Sequence, residues 1–68
     1  MMYALINAEL ADRLGLTDLR TGDKNSGYMV TVGDLAAYGA QRAVDEGARL
    51  MTCKEAQSWV YNFKNKQI

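Results

Sequence analysis

A single, mainly α-helical domain spanning residues 1–68 is the fold that the sequence predicts, with a small α+β fold as the alternative. Three observations support it. Apolar residues recur at spacings of three and four near both ends of the chain. Two Thr-x-x-acidic sequences mark helix starts, and one polar, glycine-containing stretch separates an N-terminal unit from the C-terminal helices. We therefore expect three short helices.

The first helix is predicted over residues 7–14, and the sequence leaves residues 2–6 open as either an extended segment or a continuation of that helix. Its apolar face repeats at spacings of three, four and four: Tyr3, Ile6, Leu10 and Leu14. Asn7 is a favourable N-cap, because its side chain can accept a hydrogen bond from the first helical turn. Gly15 occupies the position where a left-handed residue ends many helices.

Residues 21–27 are predicted to form a loop, because they are polar and contain two glycines. The short segment 28–31 is predicted to be extended. It can pair with residues 2–6 in a small two-stranded sheet, and this pairing is what keeps the α+β alternative open.

The second helix is predicted over residues 32–46, with Gly47 at its end. Thr31 and Asp34 form a short-armed capping box at its start. One face of this helix consists of small residues: Ala36, Gly39, Ala40 and Ala43, continued by Gly47. Because a mid-helix glycine costs about 1 kcal/mol relative to alanine, we expect Gly39 to allow the close approach of another backbone.

The third helix is predicted over residues 53–65, because Thr52 and Glu55 form a full capping box. Its apolar stripe follows a helical spacing: Cys53, Ala56, Trp59, Val60 and Phe63. We expect this helix to pack antiparallel against the second one across a turn at residues 47–51.

This helical pair is expected to build most of the core, whose predicted members are Ile6, Leu10, Leu14, Leu16, Val30, Leu35, Ala36, Ala43, Leu50, Ala56, Trp59, Val60 and Phe63. Trp59 is expected to be a central anchor. On that basis, Trp59→Ala is predicted to cost about 3–5 kcal/mol and to unfold the domain.

Composition excludes several classes of site. The chain has no histidine and one cysteine, so no disulfide and no closed zinc site are expected, nor any other metal or cofactor. No apolar run approaches the roughly 20 residues of a membrane span, and the N-terminus does not resemble a secretory signal. A cytoplasmic location is therefore expected. Because small domains bury little surface, self-association is a natural source of stability.

No catalytic centre is expected. Without histidine, neither a Ser-His nor a Cys-His pair can form, and Cys53 is expected to be buried in the third helix. Two carboxylate pairs, Glu9 with Asp12 and Asp45 with Glu46, are expected to be solvated helix charges. The segment 23–34 begins like a calcium loop but has Tyr28 where that loop needs glycine.

Residues 9–17 resemble the first helix and turn of helix-turn-helix proteins. A second likeness, to the wing and following helix of MerR-like and excisionase-like winged-helix domains, lies at Gly27-Tyr28 and Asp34-Leu35. This resemblance implies a DNA-binding regulator whose phosphate contacts are Arg13, Arg20 and Lys24. It covers few residues. The stretch 17–27, where a recognition helix belongs, contains two glycines instead.

The favoured hypothesis is a non-enzymatic protein-interaction module that forms a homodimer or binds another protein. Its expected contact surface comprises the small-residue face and one exposed aromatic: Ala36, Gly39, Ala40, Ala43 and Tyr61. Nucleic acid is the less favoured partner, because eight basic and eight acidic residues give a net charge of zero.

Overall fold

The centre of the molecule is a four-stranded antiparallel sheet with helices on both faces. The computed structural model describes residues 2–66. The strands are β1 (Met2–Ile6), β2 (Gly22–Asp23), β3 (Gly27–Thr31) and β4 (Arg49–Thr52), in the spatial order β2-β3-β1-β4. The helices are α1 (Ala8–Leu14), a 3₁₀ helix (Val32–Leu35), α2 (Ala40–Asp45) and α3 (Cys53–Lys66). The prediction of a mainly α fold is therefore wrong; the fold is α+β.

Strand β1 is the central strand, and its side chains alternate between two hydrophobic cores. Ala4 and Ile6 point to the face covered by α1, the 3₁₀ helix and α2. Tyr3 and Leu5 point to the opposite face, which α3 covers. Both faces of the sheet are buried, and for this reason the β1 sequence is apolar throughout instead of alternating between apolar and polar residues.

Helix α1 forms as predicted. The Asn7 side chain accepts a hydrogen bond from the Leu10 N–H at 2.8 Å. Gly15 ends the helix in the left-handed conformation with φ of 69°. The chain then folds back, and the Leu16 N–H donates to the Ala11 carbonyl at 2.9 Å.

The predicted continuous helix over residues 32–46 is wrong. The capping box is present, because Thr31 and Asp34 exchange two hydrogen bonds of 3.1 Å. The helix it starts ends after one 3₁₀ turn, and α2 begins only at residue 40. Gly39 interrupts the helix with φ of +105°, a conformation that L side chains rarely adopt.

Within the chain, no backbone approaches Gly39 closely, contrary to expectation. A Cβ built there would meet only the Arg42 Cβ at 3.6 Å, which is ordinary contact. The close approach occurs at Gly22, where a Cβ would lie 2.0 Å from the Gly27 carbonyl oxygen. Gly22 belongs to the segment predicted as a loop, which instead forms the β2–β3 hairpin.

The predicted antiparallel packing of the second and third helices is wrong as well. Residues 49–51 of the expected turn belong instead to strand β4, which pairs with β1. Helix α3 follows β4 directly and packs on the face of the sheet opposite to α2. Its capping box is as predicted, with Thr52 and Glu55 exchanging hydrogen bonds of 3.0 and 3.2 Å.

Most predicted core residues pack inside the molecule. Seven are buried: Ile6, Leu10, Val30, Leu35, Ala43, Ala56 and Phe63. Four are partly buried against them: Leu14, Leu16, Trp59 and Val60. Ala36 and Leu50 are exposed, contrary to prediction. The sequence analysis missed six core residues, most of them contributed by the sheet: Ala4, Ala11, Tyr28, Met29, Ala48 and Met51.

Candidate functional site

The outer edge of strand β4 is the most distinctive exposed feature of the sheet. Strand β4 has β1 on one side, and residues 2–66 supply no strand on its other side. Leu50, paired with Ala4 in the register, is 47% exposed although it points to the α1 side of the sheet. Met2, diagonally beside it, is 43% exposed. Two large apolar side chains therefore lie uncovered at this edge.

The backbone of Leu50 points out from the edge. The Thr52 N–H donates to the Glu55 carboxylate at 3.0 Å. The Met29 N–H donates to the Thr21 carbonyl, away from β1, so its register partner Leu5 directs its backbone groups towards Arg49 of β4. Along an antiparallel strand, the N–H and C=O groups of alternate residues point to the same side. Leu50, two residues before Thr52, therefore directs its N–H and C=O away from β1. This edge offers one donor and one acceptor for strand pairing.

Charged groups lie on both sides of this open position. Glu55 sits at the outer edge because of its bond to Thr52, and that bond is the main cause of its lowered pKa. The positive charge of Arg49 lowers the pKa of Glu55 further. One basic and one acidic side chain therefore flank Leu50 along the edge.

The structure does not bring the predicted small-residue contact surface together. Ala43 is completely buried, Gly39 and Ala40 are half-buried, and Ala36 is exposed. Tyr61 is 67% exposed on α3, on the opposite side of the sheet from the other four. Contact of these residues with a partner stays a prediction.

The three predicted DNA contacts lie apart. Arg13 forms an ion pair with Glu46 at 3.0 Å, and Arg20 pairs with Asp18 at 3.1 Å. Lys24 lies in the turn of the β2–β3 hairpin. Two of the three cations therefore have a carboxylate partner in their own chain, and residues 17–27 form turns and a hairpin where a recognition helix was required. DNA binding through these residues stays a prediction.

Glu46 is the centre of a polar cluster that sequence reasoning missed. Its carboxylate accepts hydrogen bonds from the Tyr38 hydroxyl and from Arg13. Arg42 is 3.6 Å from the same carboxylate, and its guanidinium lies 4.4 Å from the centre of the Tyr38 ring. The Tyr38 and Arg13 hydrogen bonds lower the pKa of Glu46. The cluster ties α1 to α2 and to the turn before it.

The remaining candidate groups do not converge. Cys53, expected to be buried, is exposed at the first position of α3. This placement corrects the prediction, and its cause is that α3 begins at the rim of the sheet. Within residues 2–66, no three acidic or cysteine side chains come together in an arrangement that can hold a metal ion.

Comparison with known proteins adds no family. The sequence matches no protein-family model, and neither a curated protein nor a solved structure resembles it at a significant level. Among the helices of the described residues 2–66, none is long and apolar enough to cross a bilayer.

Proposed function

We propose that this chain is a small, non-enzymatic protein-interaction module that self-associates, with two copies joined through the edge of strand β4. The observation that carries the proposal is the outward backbone of Leu50 beside the exposed side chains of Leu50 and Met2. An uncovered strand edge is a template for pairing with another chain. The cytoplasmic location expected from the sequence remains part of this proposal.

A second copy of the chain suits this edge because closed homodimers have twofold symmetry, under which a strand pairs antiparallel with itself. With the axis at Leu50, each Leu50 donates its N–H to the Leu50 carbonyl of the other copy. The two sheets then form one continuous sheet, and the two Leu50 side chains lie together on the α1 side.

The charges favour the same arrangement. A twofold axis at Leu50 puts each Arg49 opposite Met51 of the other copy, so the two arginines do not face each other. It also brings each Arg49 towards Glu55 of the other copy, since Glu55 is fixed at the edge by its bond to Thr52. Opposite charges on neighbouring strands stabilise pairing, whereas like charges oppose it.

The test is the mass of the full chain in solution, measured by light scattering from micromolar to millimolar concentration. The wild-type mass is expected to rise from 7.5 kDa towards twice that value, about 15 kDa. Leu50→Lys is expected to remain a monomer throughout, because the pairing puts two lysines opposite each other.

Leu19→Lys is the matched control. Leu19 is 75% exposed and lies in the turn before β2, outside the β4 edge, so this variant should associate like the wild type. Circular dichroism checks that both variants fold. A wild-type chain that keeps the monomer mass at millimolar concentration contradicts the proposal, as does equal disruption by the two lysines.

A further inference from the structure

A recess lies between the β2–β3 turn and the C-terminal half of α3, separate from the β4 edge. Its volume is about 430 Å³, within the range of about 300–1,000 Å³ typical of small-molecule sites. It is lined by Asn25, Ser26, Trp59, Asn62, Phe63 and Lys66. These residues combine aromatic rings, uncharged polar groups and one cation.

The aromatic part is a stack of two rings. The Trp59 and Phe63 ring centres are 5.5 Å apart, and their planes differ by 7°. Phe63 is buried and supports the stack, whereas Trp59 is half-buried and keeps part of its indole at the surface. A supported, partly exposed indole is a platform on which a planar ring can stack.

The polar part has free hydrogen-bonding groups. Within residues 2–66, the side chains of Asn25, Ser26 and Asn62 form no hydrogen bond. The turn that carries Asn25 and Ser26 is held in place, because Asp23 accepts from their backbone N–H groups at 2.9 and 2.6 Å. Amides both donate and accept, as the edge of a nucleobase requires.

The charge favours an anionic ligand. Lys66 lines the recess, and none of the lining residues within 2–66 carries a carboxylate. A ligand with a planar ring, a hydrogen-bonding edge and a negative group satisfies all three parts of the lining.

We infer that this recess binds a nucleotide, with its base on Trp59, the base edge at Asn25 and Asn62, and its phosphate at Lys66. The same chemistry is presented by a free mononucleotide and by a nucleotide within a single-stranded nucleic acid. The inference is independent of self-association, because the recess and the β4 edge share no residue.

Trp59 is the sole tryptophan of the chain, so its fluorescence reports directly on stacking. The full-length protein is titrated with adenosine 5′-monophosphate, with a short single-stranded DNA of mixed sequence, and with the same strand annealed to its complement. Quenching by the mononucleotide supports a free nucleotide as ligand. Quenching by the single strand alone supports a nucleic acid. Quenching by neither probe, or equal quenching by duplex and single strand, overturns the inference.

Two pairs of variants locate the contact, with binding to a labelled single strand measured by anisotropy. Trp59→Leu keeps an apolar side chain but is expected to weaken binding about tenfold or more, since stacking is lost. Tyr61→Leu removes an exposed aromatic of the same helix that lies outside the recess, and should bind like the wild type. Equal losses of affinity for the single strand in Trp59→Leu and Tyr61→Leu overturn the inference.

The phosphate contact is tested by salt dependence. Lys66→Gln is expected to reduce the slope of log affinity against log salt by about 0.7, the value for one phosphate of a single strand. Lys54→Gln removes the same charge at the other end of α3 and should leave the slope unchanged. Equal effects of the two variants would indicate diffuse attraction and overturn the inference.

Discussion

At the scale of single residues, Gly22 shows why the hairpin needs a residue without a side chain. The backbone of Gly27 passes so close to Gly22 that a Cβ would lie 2.0 Å from its carbonyl oxygen and 2.6 Å from the Tyr28 Cα. Real Cβ atoms do not approach a backbone so closely. The strands of this hairpin must therefore separate if any larger residue replaces Gly22.

We predict that Gly22→Ala lowers the free energy of unfolding by about 2–3 kcal/mol or more, because backbone atoms must shift to admit the methyl group. Urea denaturation measures this change. Gly33→Ala is the control, since its Cβ would meet only the Thr31 hydroxyl at 3.5 Å. Gly33→Ala should stay within about 1 kcal/mol of the wild type. Similar losses of stability in both variants would show that the backbone of Gly27 does not approach Gly22 this closely.

The free energy of unfolding should depend on pH through the carboxyl group of Glu46. Its pKa is lowered from the ordinary value of 4.5 by the Tyr38 and Arg13 hydrogen bonds. A carboxyl whose pKa is lower in the folded state stabilises the fold above its unfolded pKa. That contribution begins to decline as the pH drops below about 4.5 and is gone once the pH is below the folded pKa.

We therefore predict that Glu46→Gln lowers the melting temperature at neutral pH, and that the difference from the wild type shrinks as the pH falls below about 4.5. Thermal melts followed by circular dichroism at a series of pH values measure it. Glu9→Gln, at an exposed glutamate of α1, provides the control for loss of one negative charge. A difference between Glu46→Gln and wild type that persists unchanged at low pH would contradict a role for the ionised carboxylate.

At the scale of elements, Gly39 decides whether residues 32–46 form one helix or two. A continuous helix predicts that Gly39→Ala stabilises the protein by about 1 kcal/mol, because alanine is the better helix former. The positive φ of +105° predicts the opposite sign, since alanine in that conformation is strained. The same substitution therefore distinguishes the two structures.

We predict that Gly39→Ala destabilises the protein by about 1–2 kcal/mol, the strain being partly offset by reduced freedom of the unfolded chain. Equilibrium urea denaturation measures the sign directly. Ala40→Gly, at the first position of α2, serves as the reverse substitution and should also destabilise, because glycine is a poor helix former. A more stable Gly39→Ala variant would favour the uninterrupted helix.

At the scale of the whole molecule, α3 covers one face of the sheet. Its buried residues should contribute more to the free energy of unfolding than its half-buried ones. Phe63 is 7% exposed and Trp59 is half-buried against it. The sequence-based prediction for Trp59→Ala assumed a central core position. Phe63 is the more deeply buried of the two rings, and Trp59 stacks on it.

We predict that Phe63→Ala costs about 3–5 kcal/mol, and that Trp59→Ala costs about half as much because only part of its side chain leaves water on folding. Chemical denaturation followed by circular dichroism compares the two. Tyr61→Ala, at a 67% exposed position of the same helix, should have little effect. A larger loss for Trp59→Ala than for Phe63→Ala would contradict this packing of α3.

The sequence by itself determined the local starts and ends of helices. Asn7, the Thr31–Asp34 box and the Thr52–Glu55 box all cap helices where predicted, and Gly15 ends α1. These features depend on neighbouring residues within one turn of helix, so the information that sets them lies in a short stretch of chain.

The predicted pairing of residues 2–6 with 28–31 is confirmed between β1 and β3, whereas the pairing of β4 and the sites were decided only by the tertiary structure. The sequence predicts a turn at residues 47–51 because they lie between two predicted helices; residues 49–52 form strand β4 because β1 lies beside them. Pairing between residues 2–5 and 49–52 joins segments distant in the sequence, and no local pattern encodes it. The open Leu50 edge and the recess at Trp59 both follow from that pairing, since it places α3 on the far face of the sheet.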